Sequence, residues 1–411
     1  MNKVSKIFSP FYLLNLSAAI ALQVVALVLV YILSPEDYGY YALITSVAQI
    51  MYILCSGWNN ATVVNLGTKY YKETGSYKNV IIYRLYLVSI CFLFISIVFI
   101  LAKDSIIRFT GSFSNYLLAY IFFLGLVLND FVSQILYPGD KNKLQAGIMF
   151  FNNIIILSFV LLFVHTVKDY IYFNTAMQLL VCITLCSLFV HFFGKTKYRF
   201  NKNDFKFFLT YSSWQLFGVI GVYLINLGTN YVLRYYKIPV EEIGLYNFAY
   251  KLFCGFVPIF ALAGVVIPKW IHDKNINNKR MYVAKRLIFI YLVTMGLYLI
   301  LYLILPYFLV LINKEDYNES VQMYLMLFPG FLFFSFNQLM NPVVLNSPYY
   351  RHSQYSALLH GAGLILVSFI LVGRYGMQGA LWANVISFAI STIYLIILYF
   401  TRVKYFLEAK L

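Results

Sequence analysis

Few ionisable side chains interrupt the long apolar runs of this 411-residue chain, and those that do carry its chemistry. Lys251 lies about two turns into the run that follows IPVEEIG, with Asn247 one turn before it on the same face. Arg234 closes the preceding run. There Asn226, Asn230 and Arg234 recur at i, i+4 and i+8, and Gln215 stands three turns before Asn226. A second polar series, Thr45, Gln49, Tyr52, Ser56 and Asn60, also keeps helical spacing. Arg84, Asp130 and His360 each stand inside a further run. Cations of this kind bind anions, and amides exchange hydrogen bonds with hydroxyls. In an apolar solvent such groups must face protein or a water-filled cavity, because hydrocarbon leaves them unsatisfied. The competing reading is hydrogen bonding between helices, worth about 0.6 kcal/mol per pair on average. For Lys251 it is snorkelling to the headgroups.

The elements that must position these residues follow from composition. Hydrophobic residues make up 62% of the chain and charged residues 11%, with a mean hydropathy of +0.76. A water-soluble globule carries about a quarter charged residues, so that class is excluded. Many runs reach the roughly 20 residues that cross a bilayer as helix, and they are too long and uniform for the alternating strands of a membrane barrel. Hydropathy and turn signals place spans at 11–33, 40–58, 80–101, 113–136, 144–164, 170–193, 208–233, 243–265, 285–312, 319–341, 353–373 and 377–400. The start MNKVSKIFSP is basic, but the apolar stretch after it lacks a small-residue cleavage site and reads as a retained span. Cys55, Cys91, Cys182, Cys186 and Cys254 fall inside spans as packing residues, and no cluster of them with histidine suggests a metal. No cofactor is expected.

Charge orients the spans. One set of connections, with both termini and Arg84, holds 23 of the 31 basic residues, and the alternate set holds 7. The positive-inside rule assigns the first set and both termini to the cytoplasm. The net charge of +16 is then a topology signal with some attraction to anionic lipid headgroups, and no nucleic-acid partner is needed.

The chain also repeats itself. PEDYGYY at 35–41 matches EEIGLYN at 241–247 when Gly39 is set on Gly244, which pairs Glu36 with Glu241, Asp37 with Glu242 and Tyr41 with Tyr246. The same offset maps span one on seven and six on twelve. The expected fold is an all-α integral membrane protein of about 12 transmembrane helices. They form two six-helix lobes, 1–200 and 201–411, related by a pseudo-twofold axis along the membrane normal, with the substrate site at the repeat interface. The glycines are expected to permit tight reversals at the outer face. The carboxylates suit the N-terminus of the next helix.

IPVEEIGLYNFAYKL after NYVLRYY resembles a signature of bacterial polysaccharide flippases of the Wzx (O-antigen) type, and so do LSPEDYGYYALI and RYGMQGALWANVISFA. These belong to the multidrug/oligosaccharidyl-lipid/polysaccharide exporter superfamily, and the resemblance covers essentially the whole chain. It implies two lobes around a central cavity and alternating access. The implied cargo is an undecaprenyl-diphosphate-linked oligosaccharide for lipopolysaccharide or a similar surface polysaccharide, moved to the periplasmic leaflet of the bacterial inner membrane. It further implies a polysaccharide polymerase and a chain-length regulator as partners. On this reading Arg234, Lys251 and, on entry, Arg84 meet phosphate or acidic sugars. Asn226, Asn230, Asn247, Gln215, Gln49 and Asn60 meet the glycan, and Asp130 and His360 are candidates for ion coupling. For Asp130 structural pairing with a basic residue is the favoured reading, and Arg84 reads equally as an anchor at the headgroups. Many relatives carry an acidic residue late in span seven, where this chain has Thr229 and Asn230. A multidrug exporter is the nearest alternative. A membrane-embedded glycan polymerase is disfavoured because no large outer loop exists, and with no P-loop the chain hydrolyses no ATP.

Overall fold

The computed structural model of the protein describes residues 17–136, apart from 18, 19, 22, 23 and 26, together with 142–193, 200–272 and 278–405. The expected first span is covered only in part. The basic stretches 137–141, 194–199 and 273–277 and both chain ends lie outside the described residues, as does the side chain of His191. No strand occurs among the described residues, which are nearly all helical.

The helices are α1 (Pro35–Cys55), α2 (Asn60–Thr74), α3 (Lys78–Leu101), α4 (Lys103–Thr110), α5 (Phe113–Leu136), α6 (Asn142–Phe163), α7 (Val167–Phe193) and α8 (Lys202–Tyr223). There follow α9 (Thr229–Tyr235), α10 (Val240–Cys254), α11 (Val257–His272), α12 (Lys279–Leu311), α13 (Asn318–Met326), α14 (Phe328–Leu345) and α15 (Arg351–Leu398). Among the described residues eight helices are long and apolar enough to cross a membrane. The count is nine if the pair Glu315–Met326 and Phe328–Leu345, bent by 59°, is one span. Helices α2 and α4 extend into stretches the sequence reading treats as connections. Both end at a glycine with positive φ, Gly75 at 70° and Gly111 at 88°.

Helix α15 runs for 48 residues, about 72 Å if straight and more than twice a bilayer's hydrocarbon core. Its one break is Gly376, at φ 55° and ψ −134°, a conformation that residues with a Cβ avoid. A Cβ on Gly379 would overlap the carbonyl of Leu371, eight residues earlier and about 12 Å away along a straight helix. The chain therefore folds back on itself at Gly376, between the spans expected at 353–373 and 377–400.

The chain divides into two compact units. One takes in residues up to Leu33 and Tyr40–Tyr223, the other Ser34–Gly39 and the residues from Leu224 onward. In the first unit α5 packs along α7. Gly125 lies close enough to Thr175 that a Cβ would meet it at 2.9 Å, and the Thr175 hydroxyl donates to the Ile121 carbonyl at 3.2 Å. Tyr41 packs edge-on to Tyr170 at 5.6 Å between centroids. Helix α7 starts in a capping box. The Thr166 hydroxyl accepts from the Asp169 amide, and Asp169 accepts from the Thr166 amide at 3.0 Å and the Thr166 hydroxyl at 2.8 Å.

In the second unit the two acidic repeats meet. Ser34 caps the start of α1, its hydroxyl accepting from the Asp37 amide at 3.1 Å and donating to the Asp37 carboxylate at 2.9 Å. A Cβ on Gly39 would overlap the Val240 carbonyl, and one on Gly244 would overlap the Pro35 carbonyl. Pro35 and Val240 correspond under the repeat, so the contact is reciprocal. This corrects the expected role of the glycines. Neither has positive φ, and both lie inside helices, with the carboxylates in the first turns. They are glycines because two helix starts approach backbone to backbone, not because the chain reverses there. Around the joint, Tyr38 is edge-on to Phe248 and Tyr317, each at 6.4 Å.

Candidate functional site

Two polar clusters, one in each unit, gather part of the residues singled out in the sequence. In the first unit α1 ends at Cys55, a short 3-10 turn covers Gly57–Asn59, and α2 continues from Asn60. Tyr52, Ser56 and Asn60 thereby stay on one side and meet Arg84 from α3 and Asp130 from α5. Arg84 Nη2 donates to Asp130 Oδ2 at 2.8 Å and to Asn60 Oδ1 at 2.8 Å. Asp130 also accepts from Ser56 Oγ at 2.9 Å and Asn60 Nδ2 at 2.7 Å. Asn60 Nδ2 lies 3.4 Å from the Tyr52 hydroxyl.

Arg84 is wholly buried and Asp130 is 7% exposed. An isolated charge at such depth is costly. Here the charges cancel, and Arg84, Ser56 and Asn60 all donate to the carboxylate. Arg84 Cζ lies 5.6 Å from the centroid of the Phe131 ring, while Arg84 Nε and Nη1 have no hydrogen-bond partner among the described residues. Neighbouring Asn59, fully buried with both amide atoms also unpartnered, is missed by the sequence reading. Its only signal is the doubled asparagine of GWNN. Nearby, Ser212 on α8 donates to Thr62 on α2 at 2.8 Å. Gln49 and Gln215 are half-buried and stand apart from the cluster's hydrogen bonds.

The second cluster is built on α9, α10 and the far arm of α15. Asn230 and Asn247 exchange amide hydrogen bonds at 3.2 and 2.8 Å, and Asn247 Nδ2 also donates to the Ile243 carbonyl at 2.7 Å. Asn384 Nδ2 donates to the Tyr246 hydroxyl at 2.8 Å, and the Tyr250 hydroxyl donates to the Ile225 carbonyl at 2.9 Å. Asn384 is the second residue missed, although RYGMQGALWANVISFA contains it. Tyr236, from NYVLRYY, donates to the Phe369 carbonyl at 2.9 Å and lies against Gly373, where a Cβ would come within 3.0 Å of its ring. The sequence hallmarks thus interlock as packing joints.

The even stripe expected from Gln215 to Arg234 is interrupted. Leu224–Gly228 forms a π turn, which adds about one residue and rotates the next segment of helix by about 100° relative to an unbroken one. Asn226 is exposed, Asn230 is buried, and Arg234 is half-buried in the last turn of α9. Lys251 is half-buried near the end of α10, one turn beyond Asn247. No described carboxylate pairs with it; the ion pair among the described residues is Arg84–Asp130. His360 is 4% exposed, its ring centroid 4.2 Å from that of Phe388, and its Nε2 has no hydrogen-bond partner among the described residues. The arrangement therefore offers one charge-neutral cluster, one amide cluster and one membrane-embedded cation with no counter-ion among the described residues.

The fold is that of known transporters. A structure of a multidrug resistance MATE family transporter of the MOP superfamily, inward-facing, aligns over 98% of this chain and 96% of its own at 16% identity, with a TM-score of 0.72. The lipid II flippase MurJ in an inward closed conformation aligns over 97% and 88% at 16% identity, with a TM-score of 0.71. An outward-facing MATE structure aligns over 100% and 99% at 14% identity, with a TM-score of 0.63. A search of curated proteins by sequence found no match. The family model for "Polysaccharide biosynthesis protein" matches residues 8–270, well over half of the chain, and the chain therefore belongs to that family.

Proposed function

We propose that this membrane protein is a flippase that carries an undecaprenyl-diphosphate-linked oligosaccharide across the bacterial inner membrane by alternating access, supplying O-antigen or a similar surface polysaccharide. The observation that carries this reading is Lys251. A cation inside a span costs about 2.5–3.5 kcal/mol without compensation. Arg84 has its carboxylate, whereas Lys251 is left for an anion that arrives with the cargo. Membership of a polysaccharide biosynthesis family supports a glycan cargo. The likeness to a lipid II flippase supports a lipid-linked one. Arg234 shares the phosphate with Lys251, and the Asn230–Asn247 pair offers amide groups to sugar hydroxyls. Both termini lie in the cytoplasm, and the chain moves its cargo without making or breaking covalent bonds. Coupling to an ion gradient belongs to the same proposal, with Asp130 and His360 as candidates.

The test is surface-glycan export in a deletion strain complemented with Lys251→Ala at normal membrane abundance. Export falls at least tenfold, and lipid-linked units accumulate on the cytoplasmic side. Full export by Lys251→Ala rejects the assignment. Accumulation of units already exported but unpolymerised points instead to a polymerase. The second reading, a multidrug exporter, rests on the MATE likeness. It requires the deletion to raise drug sensitivity and to leave the surface glycan intact.

A further inference from the structure

Within the second unit a groove of about 500 Å³ opens between α12, α14 and the end of α15. Its floor includes Leu339 and Val343, its rim Ile288 and Phe400, and its lining runs along α12 from Arg280 to Tyr291. The volume is that of a small-molecule site. Two of the three walls interrupt the regular backbone hydrogen bonding of a helix. Pro342 sits inside α14, where it removes a backbone hydrogen bond. Tyr399–Val403 is a π turn, a feature frequent at functional positions, and it carries Phe400.

The dimensions and charge select an occupant. From Arg280 to Tyr291 the helix rises about 16 Å, or one leaflet of a hydrocarbon core about 30 Å thick. Among the described residues that line the groove, Arg280 alone carries a charge. It stands in the first turn of α12, on the side that the excess of lysine and arginine assigns to the cytoplasm. A cation at the leaflet surface above an apolar slot one leaflet deep fits a two-part ligand with phosphate at the mouth and one acyl chain below. The long polyprenyl tail of the proposed cargo does not match that depth.

We propose that this groove binds an anionic glycerophospholipid of the cytoplasmic leaflet, with its phosphate on Arg280 and one acyl chain between α12, α14 and α15. The proposal rests on the orientation set by the basic residues and not on the identity of the cargo.

The test is lipid retention by the full-length protein, released from vesicles of phosphatidylglycerol and phosphatidylethanolamine and read by native mass spectrometry. Wild type retains phosphatidylglycerol in preference to phosphatidylethanolamine. Arg280→Gln lowers that retention about fivefold, the effect of about 1 kcal/mol for one basic residue near the surface. Ile288→Trp, at an exposed rim position, fills the slot and abolishes retention. Arg286→Gln changes nothing, because Arg286 lies over the Tyr282 ring at 3.9 Å and outside the groove. Equal retention of the two lipids, or wild-type retention by both Arg280→Gln and Ile288→Trp, overturns the proposal. Displacement of phosphatidylglycerol by a polyprenyl phosphate at equal concentration also overturns it, by making the groove a cargo-tail site. Loss of export in Lys251→Ala moves none of these readouts.

Discussion

Asp130→Leu is the perturbation that exposes the logic of the first polar cluster most directly. It leaves Arg84, with no solvent exposure, holding one hydrogen bond to Asn60 Oδ1 and two nitrogens already without partners. Stranding a buried charge in this way costs about 3–5 kcal/mol. Arg84→Met is milder, about 3 kcal/mol, because the remaining carboxylate keeps its bonds from Ser56 and Asn60. Combining the two removes both charges and keeps apolar volume, so the double variant is more stable than either single one and within about 1 kcal/mol of wild type. Unfolding in mixed micelles, followed by tryptophan fluorescence, measures all four proteins. Trp58 is a local probe in the turn beside the cluster, its indole N–H bonded to the Leu54 carbonyl at 3.1 Å. If the two single costs simply add in the double variant to within about 0.5 kcal/mol, the pair is not coupled and the reasoning fails. Export by the double variant then separates roles, being retained if the pair is a scaffold and lost if Asp130 or Arg84 acts in transport.

The glycine joint predicts that Gly39→Ala and Gly244→Ala each force two helix starts apart. Each sharply lowers folded protein recovered from membranes, whereas Gly147→Ala, where a Cβ meets nothing within 4 Å, does not; full recovery of both joint variants would refute the contact. Gly376→Ala costs about 1–3 kcal/mol for its backbone conformation, read as a lower midpoint in the same micelle unfolding. At Asp169 partial burial works against the charge. The Thr166 hydroxyl and the His165 and Thr166 amides outweigh it and hold the carboxyl below its ordinary value. A depressed carboxylate adds stability that is present above the ordinary carboxylate range and is lost as pH falls through the lower folded value. Amide exchange at the start of α7 therefore accelerates only in acid for wild type and is fast at neutral pH in Asp169→Ala; identical pH profiles would exclude the capping role.

The physics of the bilayer made much of this protein legible in one dimension. A span needs about 20 apolar residues and internal hydrogen bonding, so runs such as 80–101 and 113–136 end within two residues of α3 and α5. Helical spacing also grouped Tyr52, Ser56 and Asn60 on one side. Their partners were not legible. Asp130 meets Asn60 across 70 residues and Asn384 meets Tyr246 across 138, distances over which no local pattern fixes which faces turn together. The π turn at Leu224–Gly228 escaped for a related reason. It shifts backbone bonds by one residue without a proline or a change in hydropathy, and so it broke a stripe that looked continuous.

What the sequence determined by itself is the class of the molecule, its helical spans and the existence of an internal repeat, because these depend on transfer of side chains from water and on identity between residues. What only the tertiary structure decided is how those features are used. It made Gly39 and Gly244 a reciprocal backbone contact instead of a pair of turns, balanced Arg84 with Asp130, and left Lys251 without a counter-ion among the described residues. Each of those outcomes depends on the rotation and approach of helices distant in the chain, which packing sets and hydropathy does not.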